Sequence, residues 1–198
     1  ASAAAATAAT GVATSTAALA DVVSGLGSDN TLRMKLSAFV LAGRLERVVE
    51  LANERLQRMG DGRFHLAHSD RLASGGRRSG LGLVVQDEWT GQVRDTATLS
   101  GGESFMASLA LALGLADAVR EESGGIDLHT LFIDEGFGSL DGESLEQVME
   151  VLDQLQDGGR AVGVVSHVPA LRDRIPAQVQ VDKTRRGSTV RRVTGPAA

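Results

Sequence analysis

Two adjacent carboxylates, Asp134 and Glu135, end an apolar stretch of the chain and are followed directly by a glycine. The preceding residues, Leu131–Ile133, predict a short strand buried on both faces, as in the middle of a parallel sheet. Two charges inside such a strand would be costly, so we expect them at its carboxyl end, the edge where α/β proteins bind ligands. One carboxylate there suits a hydrated Mg²⁺, and the second suits proton abstraction from an attacking water. The alternative is an ordinary exit from strand to loop.

A second candidate is the sequence Leu99-Ser-Gly-Gly-Glu103, where a long helix is predicted to begin. Ser100 and Glu103 have the spacing of a capping box, and the glycines let a ligand or another backbone approach the exposed amides. The amino end of a helix carries partial positive charge and unpaired N–H groups, so it can bind an anion. The alternative is simply a well-capped helix. Gly101 and Gly102 favour a ligand site, because each costs about 1 kcal/mol relative to alanine in the first turn.

The third candidate is His167, which follows a second apolar strand predicted at Ala161–Val165. An amphipathic helix at Asp141–Leu155 separates the two strands. Strand, helix and strand form a right-handed crossover, so the strands should be parallel and should end at the same edge. A lone histidine after a strand is more often structural, but this one is brought to an acidic pair and is better suited to phosphate contact or proton handling.

The remaining elements must position these residues. The spacing of apolar residues in Leu32–Met59 predicts a helix with an apolar seam, equally compatible with a coiled-coil root and a core helix. The residues of the seam are Met34, Leu41, Leu45, Val48, Ala52, Leu56 and Met59, and Phe39, Val40 and Val49 widen it. Short strands are predicted at 63–66, 81–86 and 92–95, the last two as a hairpin. The helix body at Phe105–Val119 is apolar almost all round and should be buried. Two further strands are predicted within Val179–Val193.

Two basic regions are predicted on the surface. One is the loop Ser74–Gly80; the other is the tail, with Lys183, Arg185, Arg186, Arg191 and Arg192. Either could meet phosphates, but solvated surface charge is the more common explanation.

Composition limits the classes of function. The chain has 198 residues, 42% of them hydrophobic, which suffices for one good core. A net charge of -5 argues against a general nucleic-acid coat, and the absence of cysteine excludes thiol catalysis and cysteine-zinc sites. No membrane segment is expected, because the longest apolar run, Phe105–Ala116, is too short. Residues 1–20 lack the features of a signal peptide; we expect a loosely ordered stretch, or a helix end without its partner, in a fragment.

Taken together, the motifs resemble the carboxyl-terminal half of an ABC-type ATPase head. They are LSGGE at 99–103, LFIDEGFGSLD at 131–141 and SH at 166–167. The segments GLGLVVQDEWTG, SFMASLALALGLAD and GGRAVGVVSHVPALRDRIP narrow the resemblance to the SbcC family of bacteria, which is akin to chromosome-maintenance ATPases. It covers roughly residues 31–195. The implied fold is α/β: a parallel sheet with flanking helices, antiparallel hairpins and the root of an antiparallel coiled coil.

The resemblance implies roles for individual residues. Leu99–Glu103 corresponds to the signature motif, which caps the γ-phosphate bound by the opposite subunit. Asp134 corresponds to the magnesium-binding acid of the Walker B motif, and Glu135 to the residue that polarises the attacking water. Ser139, Leu140 and Asp141 correspond to the D-loop, and His167 to the switch histidine.

The sequence also departs from the complete pattern. It contains no Gly-x-x-x-x-Gly-Lys-Ser/Thr, no Q-loop and no zinc-hook cysteines. We therefore expect an excised lobe, with residues 1–30 a low-complexity linker or coiled-coil remnant, 31–60 a coiled-coil root and 61–198 the lobe itself. The resemblance implies ATP and Mg²⁺, an amino-terminal lobe carrying the Walker A loop, a second head in a homodimer, the nuclease SbcD, double-stranded DNA ends, and a cytoplasmic, nucleoid-associated location. Alternatives are the head of another chromosome-organising or recombination ATPase without a nuclease, and a non-catalytic docking module.

Overall fold

The computed structural model describes residues 2–69, 81–124, 129–185 and 187–194. These residues fall into two units, 1–128 and 129–198, and each is treated separately below. The basic loop predicted at Ser74–Gly80 lies outside the described residues, as does Arg186 of the tail.

The first unit carries three long helices and a small sheet. Its elements are α1 (Ser2–Ser24), α2 (Leu36–Met59), β1 (Phe64–Ser69), β2 (Gly82–Asp87), β3 (Gln92–Asp95), a 3₁₀ turn at Thr96–Thr98 and α3 (Gly101–Glu122). The three strands form one antiparallel sheet in the order β1-β2-β3. The predicted hairpin between β2 and β3 is therefore present, and each of the three predicted strands is found.

Close packing between α2 and α3 forms the core of the first unit. Val48 and Leu51 of α2 form a buried cluster with Ala118 of α3. The helices approach most closely at Gly114, where a Cβ atom would lie 2.5 Å from the carbonyl oxygen of Val48. A larger residue at this position would separate the helices, so glycine sets their distance. This packing fixes α3, and with it the helix start at Gly101.

A buried asparagine attaches the sheet to the helices. The Asn53 side chain on α2 accepts a hydrogen bond from the backbone N–H of Leu66 and donates one to the carbonyl oxygen of the same residue, both at 2.8 Å. Both polar groups of a buried amide are thereby used, which avoids the cost of an unsatisfied donor or acceptor. β1 is held on α2 in a single register.

The second unit contains the predicted strand-helix-strand unit. Its elements are β4 (Thr130–Asp134), a 3₁₀ turn at Phe137–Ser139, α4 (Gly142–Asp157), β5 (Ala161–Val165), α5 (Pro169–Arg174), β6 (Ala177–Thr184) and β7 (Gly187–Thr194). β4 and β5 are parallel, with Asp134 opposite Val165. The predicted inward residues of α4, Leu145, Val148, Leu152 and Leu155, are all buried. β6 and β7 form the hairpin predicted in the tail, longer than expected at both ends.

The prediction that β4 is buried on both faces is wrong. Ile133 is buried, but the side chain of Phe132 on the other face is 76% exposed, and Val165 at the end of β5 is exposed as well. Within the described residues the parallel sheet has these two strands alone. An apolar strand indicates two covered faces, but it does not say that the covering elements belong to the same stretch of chain.

The predicted burial of the long helices is partly wrong. α3 is not buried all round, since Leu115 and Val119 are exposed. α2 begins at Leu36 rather than Leu32, and its buried residues, apart from Ala42, lie in the carboxyl-terminal half. Phe39, Val40 and Leu41, placed on the apolar seam by their spacing, are exposed, while Leu51, which was not among the predicted seam residues, is buried. α3 packs against only part of α2, so Phe39, Val40 and Leu41 near the amino-terminal end of the helix remain exposed.

Alanine-rich residues 2–24 form α1, the helical one of the two alternatives considered for the beginning of the chain. By length and apolar composition alone, α3 would be able to cross a membrane. A core helix of a folded domain passes the same test, and Met106, Leu109 and Leu113 on one side of α3 are buried within the first unit.

Candidate active site

The chain leaves the sheet sharply after β4. The backbone N–H of Glu135 donates to the carbonyl oxygen of Val165 at 2.8 Å, extending the parallel pairing one step beyond Asp134. Glu135 and Gly136 then adopt left-handed backbone conformations, with φ angles of 60° and 96°. Glycine adopts this conformation freely, but for a residue with a Cβ atom it costs about 1–2 kcal/mol. Strain of this kind is frequent at functional sites, where it aims a side chain.

Glu135 is aimed at His167. The Oε2 atom of Glu135 lies 2.9 Å from the Nδ1 atom of His167, which follows the neighbouring strand β5. Both side chains are open to solvent, at 51% and 78% exposure. The turn after β5 is held by a hydrogen bond from the backbone N–H of Val168 to the hydroxyl oxygen of Ser166. In a solvent-exposed position, a carboxylate paired with an imidazole can accept a proton, and the imidazole can form a second hydrogen bond through its other nitrogen. We call Asp134, Glu135 and His167 the acidic edge.

The Asp134 carboxylate is exposed and has no hydrogen bond or ion pair with any described residue. A single free carboxylate at a sheet edge fits Mg²⁺, which takes one or two protein carboxylates and completes its shell with water and phosphate oxygens. No group of three or more histidine, cysteine, aspartate or glutamate side chains within the described residues would hold a metal by itself. The residues present fit a shared metal site rather than a complete protein cage.

The segment Ser139–Asp141 connects the acidic edge to α4. The hydroxyl of Ser139 donates to the carbonyl oxygen of Gly136 at 2.7 Å, which closes the 3₁₀ turn. Asp141 caps α4 by accepting a hydrogen bond from the backbone N–H of Ser144 at 2.8 Å. This bond, with help from the Ser144 hydroxyl, lowers the pKa of Asp141 below its ordinary value. Leu140 lies between them in extended conformation, and the ring of His167 lies beside Gly138.

Leu99–Glu103, which we call the signature turn, contains the predicted capping box. The backbone N–H of Ser100 donates to Oε2 of Glu103 at 2.8 Å, and the N–H of Glu103 donates to the hydroxyl oxygen of Ser100 at 3.3 Å. Within the described residues, the backbone N–H groups of Gly101 and Gly102 have no acceptor. Unpaired first-turn amides of a helix are suited to an anionic ligand.

Comparison with known proteins adds an independent line of evidence. Residues 76–154 match the family described as SbcC/RAD50-like, Walker B motif. The chain is 47% identical over 172 residues to the SbcC subunit of nuclease SbcCD from Treponema pallidum, a match that covers 87% of this chain. It is 49% identical over 176 residues to the corresponding SbcCD subunit from Vibrio cholerae, covering 89% of this chain.

The chain belongs to the SbcC family. It spans 16% of the length of the Treponema relative and 17% of the Vibrio relative.

Similarity to solved structures supports the fold. One similar chain comes from work on ATP-driven dimerization and DNA-stimulated activation of SMC ATPases, with a TM-score of 0.60, 14% identity, and coverage of 79% of this chain and 89% of that one. Another is an Smc head domain with an extended coiled coil from Pyrococcus furiosus, bound to the C-terminal domain of ScpA. Its TM-score is 0.55 at 14% identity, covering 83% of this chain and 39% of that one. The fold of this SbcC-family chain is therefore similar to that of SMC head domains, consistent with the predicted carboxyl-terminal lobe of an ABC-type head.

The structure brings some predicted site residues together and leaves others in a separate unit. The acidic edge and Ser139–Asp141 share residues 129–198, whereas the signature turn belongs to residues 1–128. The roles assigned to these residues by resemblance remain predictions.

Three residues beside the signature turn escaped the sequence analysis. Arg63 precedes β1, and Asp87 and Arg94 belong to β2 and β3; both arginines lie close to Asp87 and to Glu103 of the capping box. A signal for Asp87 was present in the sequence, because it is an acid that directly follows an apolar strand, as Asp134 does. The arginines carried no signal, since their spacing along the chain does not reveal that they share one carboxylate.

Proposed function

We propose that this chain is the carboxyl-terminal lobe of an SbcC-type head that, with an amino-terminal lobe carrying a Walker A loop, binds and hydrolyses ATP between two heads. The observation that carries this proposal is the contact of Glu135 with His167 at adjacent strand ends, next to the carboxylate of Asp134, which has no partner among the described residues. The relatives are subunits of a nuclease named SbcCD, and the match to the Walker B family covers both the signature turn and the acidic pair.

In the proposed reaction, Glu135 takes a proton from a water molecule while the water oxygen attacks the γ-phosphorus of ATP. The bond between that phosphorus and the bridging oxygen breaks, and ADP leaves with the electron pair, so the products are ADP and inorganic phosphate. His167 orients Glu135 through Nδ1 and contacts the γ-phosphate through its other ring nitrogen. Asp134 is the metal ligand in this scheme. Mg²⁺, when bound, neutralises developing charge on the phosphates.

The signature turn acts on the nucleotide of the opposite head in this proposal. The free amides of Gly101 and Gly102 and the hydroxyl of Ser100 contact the γ-phosphate of the partner site, so catalysis requires a homodimer. Leu99 and Glu103 hold the turn in shape. Ser139, Leu140 and Asp141 face the second head at the same interface. Engagement of two heads is consistent with the ATP-driven dimerization named for a structurally similar SMC ATPase.

The proposed partner is an SbcD-type nuclease, with double-stranded DNA ends as the substrate of the complex. We place its docking site at the exposed beginning of α2, where Leu36, Phe39, Val40 and Leu41 form an apolar surface. With Val23 and Leu26, members of this surface line a groove between α1 and α2. Exposed apolar patches of this kind mark interaction sites. ATP binding would engage the heads and hydrolysis would release them, in the cytoplasm and near the nucleoid.

The test is Glu135→Gln in the full-length protein. Loss of the general base should lower kcat for ATP by about 10²–10⁴-fold, while ATP binding and an ATP-dependent head dimer persist. Glu150→Gln is the matched control, because it removes an exposed carboxylate from α4 in the same unit. Turnover of the Glu135→Gln protein equal to that of the control would rule out Glu135 as the base and, with it, the proposed site.

A further inference from the structure

A cluster of four charges lies behind the signature turn. We call Arg63, Asp87, Arg94 and Glu103 the hairpin cluster, since Asp87 ends β2 and Arg94 lies in β3. Asp87 is 1% exposed and is the one buried charged residue within the described part of the chain. A buried carboxylate is tolerated when several donors compensate for the loss of water.

Asp87 is held by both arginine and backbone donors. Its Oδ2 atom accepts hydrogen bonds from Nε and Nη2 of Arg63, at 3.3 and 2.9 Å. Its Oδ1 atom accepts from the backbone N–H groups of Trp89 and Thr90 at the hairpin turn. The hydrogen bonds from Arg63, together with those from the backbone, lower the pKa of Asp87 below its ordinary value. Asp87 is therefore ionised at neutral pH.

Each arginine of the cluster faces two acids. Nη1 of Arg63 lies 3.7 Å from Oε1 of Glu103, while Nη2 of the same guanidinium is bonded to Asp87. Nη2 of Arg94 lies 3.6 Å from Oδ2 of Asp87 and 3.8 Å from Oε2 of Glu103. Arg94 forms no hydrogen bond through Nε or Nη2, although both atoms are buried among the described residues. Arg63 also lies over the rings of Phe64 and Trp89, which fixes its plane.

Glu103 is the member that touches the signature turn, because its Oε2 atom accepts the hydrogen bond from the backbone N–H of Ser100. That bond sets the path of the backbone into Gly101 and Gly102. Asp87 occupies donors that would otherwise turn to Glu103. Without the Asp87 charge, both guanidinium groups have Glu103 as their remaining acidic partner in the cluster, and they would compete with Ser100 for its carboxylate.

We infer that Asp87, acting through Arg63 and Arg94, is a positioning residue for the signature turn and thereby controls catalysis at the nucleotide site of the opposite head. This inference rests on the proposed function and adds a residue from a β-hairpin to its machinery. Preorganised backbone donors stabilise a transition state because they need no rearrangement during the reaction. Asp87 therefore affects kcat and head engagement, and leaves ATP binding by its own head unchanged.

The experiment uses Asp87→Asn in the full-length protein, with Asp117→Asn as the control. Asp117 forms an ion pair with Arg55 between α3 and α2, away from the capping box, so its variant reports a generic loss of one ion pair in the same unit. We expect Asp87→Asn to lower kcat about tenfold to a hundredfold, less than outright loss of a donor, because the backbone amides are displaced and not removed; ATP affinity of the monomeric head should be unchanged. An equal loss of kcat in Asp117→Asn would overturn the inference.

A heterodimer separates action across the interface from action within one head. Glu135→Gln and Asp87→Asn proteins with different tags are mixed and purified through both tags. In the mixed dimer, one site combines an intact Glu135 with an intact signature turn, so turnover should reach about half that of the unmodified dimer. That is about fivefold to fiftyfold above the Asp87→Asn homodimer and further still above the Glu135→Gln homodimer. Turnover that stays at the level of the Asp87→Asn homodimer would show that Asp87 acts within its own head, contradicting the inference.

Two further arms keep the outcome decisive. Should Asp87→Asn fail to fold, Arg94→Gln enters the same heterodimer. It removes the guanidinium that lies between Asp87 and Glu103, and Nε and Nη2 of Arg94 have no hydrogen bond within the described residues that would be lost. Recovery supports the inference, and no recovery overturns it. A Glu135→Gln homodimer with undiminished turnover would instead refute the proposed function, an outcome distinct from failure of Asp87 to act in trans.

Discussion

The acidic edge and the signature turn are built in opposite ways. At the acidic edge, Glu135 has one side-chain partner, and Asp134 has none among the described residues. At the signature turn, the hydroxyl oxygen of Ser100 and the carboxylate of Glu103 accept the hydrogen bonds of the cap, and the backbone amides of Gly101 and Gly102 have no acceptor within the described residues. The acidic edge presents side-chain carboxylates on a strained backbone. The signature turn presents backbone N–H groups, and its side chains hold the backbone in place.

This contrast follows from the chemistry proposed for each region. A carboxylate that binds a metal or takes a proton must be able to exchange partners, so a fully satisfied hydrogen-bond network would impair it. A backbone donor that stabilises charge must stay in place, so surrounding side chains are best committed to holding it. We therefore expect the acidic edge to be sensitive to the identity of its side chains and the signature turn to be sensitive to its geometry.

The largest expected effect is the loss of ATP hydrolysis when the acidic edge is separated from the residues that bind the phosphates. The 198 residues contain no Walker A sequence, so nothing in them cradles the β- and γ-phosphates. We predict that the isolated segment shows no ATP turnover above background, whereas the full-length protein turns over steadily in the same assay. Turnover by the isolated segment that disappears with Glu135→Gln would show that the acidic edge is self-sufficient and would break the comparison.

The sequence predicted the geometry of the candidate site better than the packing around it. Asp134, Glu135 and His167 could be brought to one edge because two apolar runs separated by an amphipathic helix leave few topologies open. The capping box was predictable because Ser100 and Glu103 interact through local backbone geometry alone. Both predictions depend on short-range rules.

The wrong or missing predictions concern tertiary contacts, which local sequence patterns do not specify. Phe132 is exposed although its strand is apolar, because an apolar pattern does not state which chain segment covers it. Phe39 is exposed for the same reason on α2. The hairpin cluster could not be predicted, since Arg63, Asp87 and Glu103 are far apart in sequence and meet through tertiary contacts.

A second prediction tests whether the strained backbone after β4 aims Glu135. Gly136 has a φ angle of 96°, a conformation that costs alanine about 1–2 kcal/mol, so Gly136→Ala should lower the thermal midpoint by several degrees. The matched control is Gly142→Ala at the first residue of α4, where a Cβ atom meets nothing within 4 Å. Its stability should change by less than about 0.5 kcal/mol. Differential scanning calorimetry of both variants measures the difference in thermal midpoint. Equal midpoints would show that the backbone after β4 is not strained at Gly136.

The smallest expected effect compares the helix starts of the two regions. α3 is capped by the neutral hydroxyl of Ser100, but α4 is capped by the ionised Asp141, whose pKa is lowered from its ordinary 3.8, first of all by the backbone N–H of Ser144. A lowered pKa means that folding favours the ionised form. The charge therefore stabilises the fold above pH 3.8, and this contribution is lost as the pH falls through the lower value of the folded state.

Asp141→Asn keeps an oxygen acceptor at the cap while removing the charge. The thermal midpoint of this variant should be slightly lower than that of the unmodified chain at pH 7, and the two should converge in strong acid. Asp157→Asn, at the other end of α4, removes a carboxylate from the negative end of the helix dipole and should not lower the midpoint. Thermal unfolding followed by circular dichroism across this pH range provides the measurement. A constant difference between Asp141→Asn and the unmodified chain would mean that Asp141 caps α4 through hydrogen-bond geometry alone. The starts of α3 and α4 would then be equivalent, and the contrast between the two regions would be confined to Asp134, Glu135 and His167.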